Sequence, residues 1–276
     1  MLTLALDTTT RDGSIALARD GCVLDTRIGD GSRTHAERLP LAIGSLLEQH
    51  GLDVADIGLF AVAAGPGSFT GLRIGIATIQ GLAFVTGRPV VAVSALDALA
   101  AATAEAYRLA RSQRPLPPAA FIGACMDAHR QEVFTALWRL TIEPSAPEAG
   151  VGAEDPMAGL EVVLGPSVDV PVAAFRRWAA VVGPAWLWAA GDGFVAARGP
   201  AESELPALSI VEPVPPLAPA MAQLAAVRAE AGHAGAPHAV RPVYVRRPDA
   251  ELARERRATV PASSGRAPAT GEPHVR

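Results

Sequence analysis

The stretch Gly65-Pro66-Gly67-Ser68-Phe69-Thr70-Gly71-Leu72-Arg73-Ile74-Gly75-Ile76-Ala77-Thr78-Ile79-Gln80-Gly81-Leu82-Ala83-Phe84-Val85 decides how the rest of the chain is read. A glycine-rich turn follows an apolar run over 57–64 and opens a helix over 69–85 with Ser68 as its cap. At about 100° per residue, Arg73 and Gln80 share one narrow stripe. Gly71, Gly75 and Thr78 line a small-residue groove on the far side, flanked by Ile74, Ala77, Gly81 and Val85. Leu72, Ile76, Ile79 and Ala83 form a bulky patch. An ordinary surface helix has one apolar stripe and a charged back. This helix is apolar or small nearly all round, so at least two faces need cover. A sheet takes one. The other is either core or a surface for a partner, and the residues alone leave both readings open.

Working outward, 2–6, 14–19 and 22–27 read as strands, the last two joined by an Asp20-Gly21 hairpin turn. Thr34 and Glu37 form a capping box for a helix over 35–50, which Pro40 bends and Gly51 ends. A buried strand over 89–94 and an Ala-rich helix to Leu109 follow the central stretch. Three strands, helix, strand, helix, strand, helix is the unit of ribonuclease-H-like and actin-like folds. Beyond a Pro-rich linker, strands over 119–126, 132–140 and 186–190 and helices over 172–181 and 215–231 imply a second lobe, with a loop over 143–159.

The 276 residues, half of them hydrophobic, suffice for a sizeable core. The net charge of -4 provides no basic field for holding nucleic acid non-specifically. All 24 basic residues are Arg, and Lys and Asn are absent, the mark of a GC-rich genome. Cys22 and Cys125 are too far apart for a CxxC motif and are expected to pack as small hydrophobes. The start reads as a strand rather than a signal peptide, and no charge-free run reaches membrane-spanning length, so a soluble cytoplasmic protein with no membrane contact is expected.

Several motifs occur in one order. They are Leu-Ala-Leu-Asp-Thr-Thr-Thr at 4–10, Thr34-His35 with Leu39-Pro40, and the 65–75 block. Val-Ser-Ala-Leu-Asp-Ala-Leu-Ala at 93–100, Met-Asp-Ala-His-Arg-Gln-Glu-Val-Phe at 126–134, Gly191-Asp192-Gly193 and Pro-Val-Tyr-Val-Arg at 242–246 follow. In this combination the chain resembles the TsaB (YeaZ) family of bacterial proteins.

The resemblance implies an α/β, actin-like ATPase (ASKHA, ribonuclease-H-like) fold of two lobes, with mixed sheets flanked by helices. The expected organisation is an N-terminal partner-binding lobe over 1–110, a linker over 111–118 and a second, reduced lobe over 119–214. A helix and segment over 215–247 pack back on the first lobe, and 248–276 is a disordered tail. The implied role is that of a non-catalytic subunit for threonylcarbamoyl transfer to N6 of the adenosine next to the anticodon, in tRNAs reading ANN codons. The implied partners are the paralogous transferase TsaD, the ATPase TsaE and, through the complex, tRNA. A homodimer in the absence of TsaD is compatible with this reading.

The resemblance moves the helix question to the interface. The expected partner-contact residues are His35, Leu39, Ile43, Leu46, Phe69, Leu72, Arg73, Gly75, Ile76, Ile79 and Gln80. Metal binding is not expected: the transferase paralogue uses two histidines one helical turn apart, and here His35 stands alone. No cofactor is required by this chain. Contact with ATP or ADP is open at Asp7, Thr8, Thr9, Thr10, Gly65 and Gly67, where a hairpin and a helix N-terminus suit phosphate, although Pro66 lacks an N–H. The competing readings are an autonomous actin-like ATPase or kinase-type enzyme acting through Asp7, and a peptidase with Ser68 as nucleophile. Gly-Pro-Gly-Ser-Phe-Thr does not complete a Gly-x-Ser-x-Gly elbow. Asp127-Ala128-His129-Arg130 reads as either an acid–base pair or a turn in which Asp127 satisfies backbone N–H groups. Arg246, Arg247, Arg254, Arg256 and Arg257 are interleaved with acids and read as a solvated segment.

Overall fold

The computed structural model describes residues 1–31, 34–142 and 155–246. The first lobe runs β1 (Leu2–Asp7), β2 (Ser14–Arg19), β3 (Cys22–Ile28), α1 (His35–Gln49), β4 (Leu59–Gly65), α2 (Phe69–Thr86), β5 (Val90–Ser94) and α3 (Ala95–Gln113). Its sheet has the order β3-β2-β1-β4-β5, antiparallel over the first three strands and parallel from β1 through β4 to β5. Local chemistry matches the expected turns. Asp20 and Gly21 both take positive φ in the hairpin. Thr34 and Glu37 form the capping box, and Gly51 has a φ of 64° just past the helix end.

The second lobe runs β6 (Ala119–Asp127), β7 (Val133–Thr141), β8 (Leu160–Asp169), α4 (Pro171–Val182), β9 (Leu187–Ala190), α5 (Gly193–Glu204) and β10 (Leu208–Ile210). Its order is β10-β9-β6-β7-β8, again three antiparallel strands followed by parallel ones. The sheet has five strands and repeats the strand arrangement of the first. The strands that complete it, β8 and β10, are its edges. β8 contains Gly165-Pro166 where its pairing with β7 shifts, the kind of interruption an edge strand tolerates.

α6 (Leu217–Glu230) returns beneath β1, β2 and β4 and lies beside α3. These two Ala-rich helices fill the space between the sheets. One core runs continuously from Ala5, Ala16 and Leu59 through Leu96, Tyr107 and Met221 to Ile122, Met126 and Trp138. The outer face of the first sheet carries α1 and α2 over Leu4, Leu6, Phe60 and Val62; that of the second carries α4 and α5 over Leu137 and Leu187. Contacts join 1–245 into one compact unit. The loop and tail expectations fall, for 143–154 and 247–276, outside the described residues. Cys125 is buried as expected, whereas Cys22 is exposed at the start of β3.

Candidate functional site

Asp7, the last residue of β1, and Thr8-Thr9-Thr10 directly after it knot the first lobe together. The Thr9 N–H (2.8 Å) and hydroxyl (2.5 Å) both donate to Asp7 Oδ1, and the Thr10 hydroxyl lies 3.5 Å from Oδ2. Thr8 is fully buried and donates its hydroxyl to the Gly71 carbonyl at 2.8 Å. The glycines of the central stretch explain this closeness. A Cβ at Gly71 would lie 2.0 Å from the Thr8 carbonyl oxygen, and one at Gly75 would lie 2.2 Å from Thr8 Oγ1. The small-residue groove of α2 is thus filled by this chain's own Thr8.

The Gly65–Gly67 turn is filled in the same way. A Cβ at Gly67 would lie 2.4 Å from the Thr9 Cβ, the Ser68 N–H donates to the Thr9 carbonyl at 2.9 Å, and Gly65 abuts the Val243 carbonyl. Positive φ at Gly65 and Gly67 permits these approaches. The close approaches of this turn go to Thr9 and to the Val243 carbonyl. Ser68 Oγ accepts the Gly71 N–H at 3.2 Å, the role of a helix cap.

Asp7 also faces outward from the first lobe into a cleft of about 290 Å³ between the lobes, whose walls include Arg11, Asp12, Met126, Asp192, Val195 and Val214. Asp192 comes from the Gly191-Asp192-Gly193 turn and accepts the Asp127 N–H at 2.9 Å. Burial pushes the Asp7 carboxyl up to about 6, and the Asp192 charge adds to this while the Thr9 and Thr10 bonds oppose it. Burial, together with the Asp127 charge, likewise raises Asp192. At neutral pH a carboxylate that folding pushes up works against the fold, for Asp7 by roughly 3 kcal/mol. That penalty disappears as pH falls from above 6 towards 4, because only the folded form then takes up the proton. Asp7→Asn, whose amide oxygen still accepts from Thr9, is therefore expected to be the more stable protein at pH 8 in urea unfolding. Its advantage should vanish near pH 4; an equal offset at both pH values would contradict the assignment.

His35 clamps α1 to the same turn. Its Nε2 lies 3.1 Å from the Thr10 carbonyl and its Nδ1 2.7 Å from an Arg38 nitrogen. Burial, and then the Arg38 charge, lower its affinity for a proton. The neutral ring donating to Thr10 and accepting from Arg38 satisfies both contacts. Among the described residues no group of three His, Cys, Asp or Glu is placed to hold a metal. Asp127 accepts the His129 N–H at 2.7 Å within a turn where His129, Arg130 and Gln131 all have positive φ, and its other oxygen lies 3.1 Å from His129 Nδ1.

The faces of α2 come out differently from expectation. Leu72, Ile76, Ile79 and Ala83 are buried on the sheet, as are Leu39, Ile43 and Leu46 of α1. With Gly75 under Thr8, these residues are inside the first lobe and do not form a surface. The correction follows from the β1–β4 sheet, which needs a cover on this face and takes it from the bulky sides of both helices. Gln80 is bonded within the chain: its amide donates to the carbonyls of Pro237 (2.9 Å) and Val240 (3.3 Å). Arg73 and Phe69 stay exposed but meet Tyr244. The Phe69 and Tyr244 rings stack at 5.3 Å, Arg73 Cζ sits 4.0 Å from the Phe69 centroid, and Arg73 Nε donates to the Tyr244 hydroxyl at 3.3 Å. The polar stripe of α2 is therefore the seat of a strap over 235–245, which Val243 also ties to Ala64 at 2.7 Å.

The side left uncovered holds Ala77, Gly81, Phe84 and Val85, the last two 81% and 85% exposed, with Ile74 half-buried at its edge. By length and composition α2 is apolar enough to cross a membrane, which the absence of a charge-free run had hidden; here it lies on the sheet with this one side open. Ile74, Ala77, Gly81 and Val85 line up beside the small-residue groove in the sequence, but without the fold nothing there marks that flank as the open one.

Residues 29–152 match the family described as TsaD, tRNA N6-adenosine threonylcarbamoyltransferase. The tRNA threonylcarbamoyladenosine biosynthesis protein TsaB of Haemophilus influenzae is 37% identical over 132 residues, 48% of this chain and 51% of that protein. The matched stretch thus spans about half the length of that curated relative. A longer match, 31% identical over 253 residues, covers 90% of this chain and 93% of the uncharacterized protein Mb3455c of Mycobacterium bovis. Among solved structures, YeaZ from Pseudomonas aeruginosa superposes with a TM-score of 0.64 at 27% identity, covering 88% of this chain and all of that one.

Proposed function

The chain belongs to the TsaB (YeaZ) family, and from that premise we propose that it is the non-catalytic subunit that binds and activates a TsaD-type transferase in the making of threonylcarbamoyladenosine on tRNA. The observation that carries the reading is the open side of α2. Ala77, Gly81 and Val85 recur at four-residue spacing on an apolar ridge with Phe84 beside it, and a Cβ at Gly81 would meet nothing within 4 Å. Small residues at this spacing let a second helix approach closely, and uncovered apolar area favours its burial. The ridge replaces the buried residues first expected to make the contact. TsaE would join the pair, tRNA would be met through the complex, and in the absence of TsaD the same ridge would serve a homodimer.

The test is depletion of the chain in its host, followed by nucleoside mass spectrometry of bulk tRNA. Threonylcarbamoyladenosine is expected to fall severalfold; an unchanged level would remove the pathway assignment. A second reading, an autonomous ATPase, draws on Asp7 and Asp192 in the wall of one cleft. It fits the site less well. A carboxylate that positions a magnesium ion needs free, ionised oxygens, whereas Asp7 is buried and accepts two bonds from Thr9.

A further inference from the structure

Five of the seven phenylalanines are buried; the two that are not, Phe69 and Phe84, are both on α2. Phe84 belongs to the open ridge, whereas Phe69 belongs to a separate cluster on the helix flank. There Phe69 (51% exposed), Tyr244 (39% exposed) and the exposed Arg73 form a layered stack. The strap does not need this stack to stay in place. Val240 is buried, Gln80 holds two of its carbonyls, and Val243 donates to Ala64. Two half-exposed aromatic rings with a guanidinium laid over one of them are thus kept at the surface.

Along the two segments that carry the stack, formal charge has one sign. No acidic residue occurs between Asp56 and Asp97, nor over 234–246, while Arg73, Arg88 and Arg241 lie on these segments. The rest of the chain is different. Seven of the 24 arginines but only four of the 28 acids lie over 246–276, so that segment is formally +3 on a chain of net charge -4. The stack therefore stands where an acidic protein turns basic along its sequence, two residues before that segment begins.

We infer that Phe69, Arg73 and Tyr244 form a stacking platform for an unpaired base of RNA. Aromatic faces and guanidinium planes take splayed-out bases in RNA recognition, and a neighbouring Arg meets the adjoining phosphate. Burial keeps acids out of β4, β5 and the sheet face of α2, but the exposed charged residues of the two segments, Arg73, Arg88 and Arg241, are all basic, which suits a polyanion better than a protein surface of mixed charge. The inference rests on the proposed role in tRNA modification, and it adds that this subunit touches the RNA itself.

The test is fluorescence anisotropy of the full chain, without partner, titrated into a fluorescein-labelled oligoadenylate single strand and, separately, a fully paired RNA duplex of equal length. The single strand is expected to bind more tightly. Tyr244→Ala and Phe69→Leu should each weaken it roughly 5- to 150-fold, the span of one lost base stack. Tyr244→Phe, which keeps the ring, should stay within about twofold of wild type on the same grounds. Phe69→Leu keeps apolar bulk, so it reports on stacking even if Tyr244→Ala disturbs the strap. Equal binding of single strand and duplex, or unchanged binding by both variants, overturns the platform. So does loss of transferase capture by Phe69→Leu with RNA binding intact, which would make the cluster a protein contact. Because the titration uses the chain alone, failure to capture the transferase would count against the proposed function and leave this result standing.

Discussion

Gly75→Trp is expected to yield little or no folded protein, whereas Gly81→Trp, less than two helical turns further on, is expected to melt like wild type. The contrast follows from what each α-carbon faces. A Cβ at Gly75 would already sit 2.2 Å from Thr8 Oγ1 and 3.3 Å from the Thr8 Cβ and Cγ2. Thr8 is buried and its hydroxyl is committed to the Gly71 carbonyl, so it cannot swing away without leaving a polar group unpaired. Even Gly75→Ala should cost about 1–3 kcal/mol through overpacking, and an indole would cost more than the ~4 kcal/mol that marks exceptional core damage. At Gly81 nothing lies within 4 Å, so the indole projects into solvent. Circular dichroism with thermal melting separates the two. A folded Gly75→Trp protein would mean that α2 does not pack on Thr8.

The second large effect is in the cell. In a strain depleted of the chain, wild type is expected to restore threonylcarbamoyladenosine fully, Gly81→Trp to restore almost none, and Asp7→Asn to restore it as wild type does. Gly81→Trp keeps the fold but places a large ring on the ridge where a partner helix must come close. Asp7→Asn keeps the acceptor used by Thr9 and removes only the charge. If the chain were an ATPase acting through Asp7, the outcomes would be reversed: Asp7→Asn would fail and Gly81→Trp would succeed. Nucleoside mass spectrometry of tRNA from the three strains distinguishes these cases.

Much of the architecture could be read from local patterns. The hairpin at Asp20-Gly21, the Thr34–Glu37 capping box and the strand–turn–helix at 59–86 depend on neighbours within a few residues, and they appear where the patterns place them. The all-round apolarity of α2 was equally visible. What covers each face was not, because the covers come from far away in the chain. The groove at Gly71 and Gly75 is filled by Thr8, and the stripe of Arg73 and Gln80 is occupied by Pro237, Val240 and Tyr244. A helical wheel gives the angles between faces but not the identity of their neighbours.

The same limit explains the second lobe. β8 is a half-exposed edge strand broken by Gly165-Pro166, and β10 is three residues long and pairs only with β9. α5 carries Pro200 within it, a residue that argues against a helix unless it is seen in context. Asp192 was visible as part of a Gly-Asp-Gly turn, but its position across the cleft from Asp7 depends on the packing of both lobes against α3 and α6.

The central claim is that the open ridge of α2 holds a TsaD-type partner. The most direct measurement is co-purification of that transferase with tagged wild-type chain and with tagged Gly81→Trp, each first shown to melt cooperatively. The account predicts near-stoichiometric capture by wild type and loss of capture by Gly81→Trp. Equal capture by both proteins would contradict it.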